Sequence, residues 1–218
     1  MGWYLRATRL GVHMVYSQRD DNSCGIACVI MVNFKLKKWQ LAGAAAVGMA
    51  APGLGPMASR FAVNSALKSE DEVDAAYARV TGKPYNGHEY TFATKLKNVL
   101  NELNIGTWKA EAVNQTALAD KIATVSPDCG GAPAILLVNW RAGGGHFVVC
   151  DLFRKNSDGM VADVCDPWDG AVRTIALVSG QPVTYLAQPE SGIDFGQSHR
   201  NYGSGNSGSM NGWIIYRT

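Results

Sequence analysis

Three side chains in this 218-residue sequence have the types and settings that nucleophilic acyl chemistry needs. Cys24 follows the polar run Gln18-Arg19-Asp20-Asp21-Asn22-Ser23 and precedes an apolar stripe of Ala27, Ile30, Met31 and Phe34. Spacing of i, i+3, i+4, i+7 predicts a helix that starts at Cys24, with Asn22 or Ser23 as its cap. A helix N-terminus stabilises a thiolate through its partial positive charge and unpaired N–H groups, so a cysteine there is a candidate nucleophile. A structural cysteine would sit more naturally inside the stripe. His146 follows three glycines, which permit close approach by another backbone, and opens the strand-like run Phe147-Val148-Val149. Asp166 closes the next such run, Val164-Cys165-Asp166-Pro167-Trp168. Set against these roles are a solvated histidine at a strand end and an Asp-Pro turn starter. His13, His88 and His199 have no comparable setting.

The strands that carry His146 and Asp166 flank Ser157-Asp158-Gly159, which predicts a three-residue hairpin loop with Gly in the left-handed position. Such a loop places His146 and Asp166 on one face of the sheet, though not directly opposite. A bend or bulge must close the remaining offset.

The blocks Gln18 to Met31 (QRDDNSCGIACVIM), Gly145-His146-Phe147-Val148-Val149 and Asp166-Pro167 together resemble the papain-like cysteine peptidases. The likeness is closest to the bacteriocin-processing double-glycine peptidase group and its stand-alone bacterial relatives, some of them effector proteases delivered into host cells. It implies that Cys24 is the nucleophile, His146 the general base and acid, Asp166 the group that orients the imidazole, and Gln18 an oxyanion-hole donor. Trp168 falls where papain carries a tryptophan that shields the third member from water. Two departures bear on substrate: Ser23 stands where the double-glycine peptidases usually have Asp, and residues 40–103 exceed what their compact domain needs. The implied function is hydrolysis of peptide bonds in a protein or peptide substrate. An amidase, deamidase or transglutaminase-type acyltransferase, including a cell-wall amidase toxin, uses the same groups, and a catalytically silent peptide-binding module would keep the same fold.

The elements that must position these groups fall into two halves. Beyond the Cys24 helix, Ser69 with Glu72 forms a capping box ahead of Val73, Ala76, Tyr77 and Val80 on one stripe. A third helix aligns Phe92, Leu96, Val99, Leu100 and Leu103 and stops near 104–106, and a fourth is expected at about 115–125. From Ala134 the pattern turns to strands: AILLVNW, HFVVCDLF, MVADVC, VRTIALV and a closing strand at 213–216, with a Gly/Ser-rich loop at 188–212 before it. Helices first and strands second indicate α+β rather than a doubly wound parallel sheet. The expected architecture is one domain over 1–218, its helical lobe (about 1–130) carrying the nucleophile helix against an antiparallel sheet lobe (about 131–218).

Composition excludes several other classes. Twenty Lys plus Arg against 18 Asp plus Glu leave +2, too little for the basic field that nucleic-acid binding needs. Hydrophobic residues at 47% place the chain among globular proteins. Five cysteines are odd in number and sparse, so mostly free thiols are expected. No cofactor or metal is expected: zinc ligation by Cys24, Cys28, Cys129 and His146 lacks a CxxC or HxxxH pair. No signal peptide is visible, and the uncharged stretch 39–59 is too rich in glycine and proline for a stable membrane span. A cytoplasmic protein, or one exported by a specialised secretion system, is the corresponding expectation.

Overall fold

A computed structural model, which describes residues 2–50, 68–126, 132–157, 159–187, 194–195 and 207–218, assembles the helix-forming and strand-forming stretches as α+β. The helices are α1 (Cys24–Ala50), α2 (Glu70–Thr81), α3 (Ala93–Glu102) and α4 (Leu118–Val125), the last preceded by a 3-10 turn at Gln115–Ala117. The strands are β1 (Gly2–Ala7), β2 (Val12–Ser17), β3 (Trp108–Ala112), β4 (Ala134–Trp140), β5 (Gly145–Asn156), β6 (Gly159–Asp166), β7 (Ala171–Leu177), β8 (Thr184–Leu186), β9 (Asp194–Phe195) and β10 (Ser207–Arg217). The large sheet runs β3-β10-β4-β5-β6-β7 with β8 beside β10, and a smaller one runs β2-β1-β9. Every recorded strand pair is antiparallel.

Local chemistry accounts for the helices. Ser69 and Glu72 form both hydrogen bonds of the capping box that starts α2, and its stripe of Val73, Ala76 and Tyr77 is buried. In α3, Leu96, Val99 and Leu100 are buried together. The sheet is covered on both faces, which is why β4 and β5 read as nearly unbroken apolar runs. Ile135, Phe147, Val149 and Cys165 pack against α1, α2 and α3, whereas Leu136, Val148, Val164 and Ile175 pack with Leu118 and Ile122 of α4. Burial of each such side chain stabilises by roughly 1.5–3 kcal/mol.

The lobe expected to be helical also holds β1, β2 and β3, and β10 begins at Ser207, inside the expected 188–212 loop. β3 reads WKAEA, whose Lys, Ala and Glu favour helix; pairing along β10, from Trp213–Ala112 to Arg217–Trp108, overrides that preference. Residues 51–67, most of 188–206 and Cys129 lie outside the described residues. Among the described residues no helix is long and apolar enough to cross a membrane.

The β5–β6 ladder corrects the expected hairpin. Asn156 pairs with Gly159, so only two residues lie between the strands, and the ladder runs in step to Leu152–Asp163. Asp151 is then unmatched, and pairing resumes at Cys150–Val164, one residue out of step. This β-bulge turns the following residues over. Without it, His146 would lie on the face opposite Asp166; with it, the two share a face.

The bulged residue anchors a buried ionic network. Asp151 Oδ2 lies 2.6 Å from His13 Nδ1 and 2.5 Å from Lys35 Nζ, and His13 Nε2 lies 2.7 Å from Asp163 Oδ2. Thr8 and Thr174 donate to Asp163 as well. Burial alone would push His13 down, but its bonds to Asp151 and Asp163 prevail and push it up to about 11. Stability from this group is therefore fully present below its ordinary value of 6.5 and is lost as pH climbs through about 11.

Replacing Asp151 by Ala strands Lys35 without its counter-charge and leaves His13 with Asp163 alone, and is expected to cost about 3–5 kcal/mol, read as a lowered urea midpoint. The stability gap between wild type and His13→Gln is expected to be widest near pH 6.5 and to narrow steadily towards pH 11. A gap that stayed constant over that range would remove the charge from the account.

Candidate active site

Three separate segments bring Cys24, His146 and Asp166 together. Cys24 leads α1, where the first N–H groups have no intrahelical acceptor. The turn ahead of it is closed by Ser23, whose Oγ accepts the Asp20 N–H at 2.9 Å and donates to the Asp20 carbonyl at 2.9 Å. The Ser23 hydroxyl is thus spent on the turn rather than on a side-chain cap of the helix. Behind Cys24, a Cβ on Gly25 would come within 2.2 Å of Thr91 Oγ1 and 2.9 Å of Leu96 Cδ1, so the helix start sits hard against the 91–96 segment only because residue 25 is glycine.

His146 is the second residue of β5 and is buried. The glycines before it serve a turn rather than the close backbone approach expected of them. Gly143 and Gly144 have φ of +94° and +90°, and nothing lies within 4 Å of where their Cβ atoms would be. Asp166 ends β6, fully buried. Its Oδ1 lies 2.7 Å from His146 Nε2 and accepts the Trp168 N–H at 2.8 Å. With Nε2 engaged by Asp166, Nδ1 is the ring nitrogen left for Cys24, with which His146 is hydrogen-bonded. The Phe147 N–H also points at the sulfur, at 3.5 Å. Trp140 stacks on the imidazole, with centroids 5.8 Å apart and planes 25° from parallel. Trp140 thus covers one face of the histidine, and the Trp168 backbone N–H is one of the donors to Asp166.

Electrostatics favour a cationic ring. Burial opposes charge on His146, but the Asp166 carboxylate and the bonds to Asp166 and Cys24 outweigh it and push the imidazole up to about 10. Asp166 is held below the usual carboxylate range despite its burial, by the charge and hydrogen bond of His146, by Arg173 and by the Tyr185 hydroxyl. A sulfur beside an imidazolium at a helix N-terminus is equipped to attack an electrophilic carbon, and the imidazolium to pass a proton to a leaving group.

Gln18 is buried on the same loop, six residues before Cys24. Its Nε2 donates to the carbonyls of Asp20 at 2.7 Å and Asp21 at 2.9 Å, and its Oε1 has no partner among the described residues. Turning the amide over would set oxygen against those two carbonyls, so this orientation is the favoured one. The backbone N–H of Gln18 donates to the Pro167 carbonyl at 2.7 Å, which ties the nucleophile loop to the segment just past Asp166.

Sequence reasoning overlooked Arg173, Tyr185 and Trp140 around the site, and His13 in the network behind it. An arginine inside the apolar run VRTIALV was a usable signal, because a buried arginine requires a carboxylate. Tyr185, on the three-residue β8, carried none. His13, Asp151 and Cys165 bring ligand-type atoms within 4.8 Å of one another, but the Lys35 ammonium already sits against Asp151 where a metal ion would have to lie. Of the remaining histidines, His88 is exposed and its carbonyl accepts the Asn22 side chain, and His199 lies outside the described residues.

Iodoacetamide at pH 6 is expected to modify Cys24 first, because burial pushes the Cys28 and Cys150 thiols well up. At that pH the reaction at Cys24 should slow markedly in His146→Ala, which removes the imidazolium beside the sulfur. Peptide mapping by mass spectrometry reads each site, and an unchanged Cys24 rate without His146 would count against the pairing.

Comparison with known protein families finds no match for this chain, and comparison with curated proteins finds none either.

Proposed function

We propose that this protein is a papain-like cysteine peptidase that hydrolyses peptide bonds in a protein or peptide substrate. The observation that carries the reading is the order sulfur, imidazole, carboxylate, built from Cys24, His146 and Asp166 at a helix N-terminus. A nucleophile helix laid against an antiparallel sheet, with the histidine and the acid on adjacent strands of it, is in keeping with that family.

The Cys24 sulfur attacks the scissile carbonyl carbon, and the C=O π electrons move onto oxygen. The resulting oxyanion meets the Cys24 backbone N–H, an orphan donor of the first helical turn. Gln18 holds the loop that presents that N–H; to serve as a second donor it exchanges its longer bond, to the Asp21 carbonyl, for the substrate. As the tetrahedral adduct collapses, the C–N bond breaks and the His146 proton passes to the leaving amine, which leaves a thioester on Cys24. Neutral His146 then takes a proton from water as the hydroxyl adds to the thioester, and the C–S bond breaks to release the acid and restore the starting pair. Asp166 keeps Nε2 occupied throughout, so Nδ1 remains the nitrogen that exchanges protons.

Incubating a cell extract with wild-type protein and with Cys24→Ala, then mapping new N-termini, is expected to show cuts with wild type alone. His146→Ala should match Cys24→Ala, and Asp166→Ala should leave a trace of activity, about 100- to 10,000-fold down. A one-dalton gain at glutamine, or an amine adduct, in place of new termini would assign deamidation or acyl transfer instead.

Gln18→Ala is expected to lower turnover about 100- to 1000-fold with little change in the Michaelis constant, the behaviour of an oxyanion donor. Steady-state kinetics decide this: a raised Michaelis constant with turnover spared would confine Gln18 to bracing the loop.

A further inference from the structure

The far side of Asp166 is built with as much care as the side that meets the histidine. Oδ2 accepts the Tyr185 hydroxyl at 2.5 Å and Arg173 Nη1 at 3.2 Å, so with His146 and Trp168 on Oδ1 the carboxylate has four donors. Arg173 in turn donates from Nη2 to Asp169 Oδ2 at 2.6 Å and to the Ala187 carbonyl. Tyr185 is fully buried, its ring 5.8 Å from Trp140 and 5.7 Å from the Arg173 guanidinium. Since Trp140 also stacks on His146, the four side chains His146, Asp166, Tyr185 and Trp140 close a ring of contacts. Simple packing does not require a phenol whose one hydrogen bond among the described residues ends on the acid of the site.

We propose that Tyr185 is a positioning residue for the His146–Asp166 pair, its hydroxyl fixing the carboxylate plane and drawing part of its negative charge away from the imidazole. The inference rests on the peptidase reading for its purpose. In that reaction His146 must both surrender a proton to the leaving amine and take one from water, and a bare carboxylate that raises the ring's basicity too far favours the second step at the expense of the first. The charged and titratable groups around the ring are Cys24 from α1, Asp166 from β6, and, through Asp166, Tyr185 from β8, Arg173 from β7 and Asp169 from the intervening turn. Tyr185 stays protonated because burial and Asp166 push its phenol well up, so it remains a donor over the working range.

The test follows the 15N shifts of the His146 ring with pH in the intact protein and needs no substrate. Tyr185→Phe keeps the ring packing, removes one donor and is expected to raise the His146 midpoint by on the order of one unit. Site-specific 3-fluorotyrosine at position 185, a more acidic phenol of nearly the same shape, is expected to lower it, and this second variant decides the matter if Tyr185→Phe does not fold. An unmoved midpoint, or shifts of the opposite sign, would overturn the role and leave Tyr185 a packing residue. Shifts of the expected signs in a protein that cuts nothing would uphold the positioning role and defeat the peptidase reading, so the two failures are told apart.

Discussion

The site depends on one unmatched residue in a β-ladder. Side chains alternate along a strand, so a single inserted residue moves everything beyond it to the other face. Asp151 is that residue in β5, and only because it is unpaired do His146 and Asp166 meet on the same side of the sheet. A bulge costs ladder hydrogen bonds and needs something to hold it. Here the bulged carboxylate is itself the anchor, gripped by Lys35 of α1 and His13 of β2, with Asp163 of the neighbouring strand completing the network through His13. The same α1 carries Cys24 at its start, so one helix both pins the bulge and presents the sulfur.

Two buried charge clusters follow from this arrangement, and they differ in use. In the first, His13 is saturated by two carboxylates and Lys35 sits beside them, so each ion has a partner and none faces a ligand. The loss of any one member leaves a buried charge unbalanced, which makes the cluster a lock rather than a site. In the second, Asp166 is equally saturated, but His146 is bonded to it through one nitrogen only and meets a thiol with the other. Saturating the acid while leaving one histidine nitrogen to face sulfur is what separates a reactive arrangement from a structural one.

Much of the candidate site was legible in the sequence because its signals are local. The Cys24 helix is announced by its apolar stripe, α2 by its capping box, and β4 to β7 by apolar runs bounded by turn residues. Non-local features were not legible. β1 acquires strand structure only by pairing with β2 and β9, and β3 only by pairing with β10. The shared face of His146 and Asp166 was anticipated from a three-residue hairpin, whereas a two-residue connection and a bulge produce it. Tyr185 and Arg173 converge on Asp166 from 19 and 7 residues away in sequence, a convergence that no local pattern encodes.

The coupling between the nucleophile and its partners runs through backbone as well as side chains. The Gln18 N–H on the Pro167 carbonyl joins the loop before α1 to the end of β6, and the Phe147 N–H on the Cys24 sulfur joins the helix start to β5. Because the first contact uses main-chain atoms alone, side-chain substitution at Gln18 leaves the 18–167 link in place, and what changes is the grip of the amide on the Asp20 and Asp21 carbonyls. The distance from sulfur to imidazole is therefore set by the sheet and the helix start, and the protonation of the pair by Asp166 and the groups behind it. The approach of sulfur to imidazole thus belongs to the backbone, whereas the tilt and charge of the ring belong to Asp166 and the groups behind it.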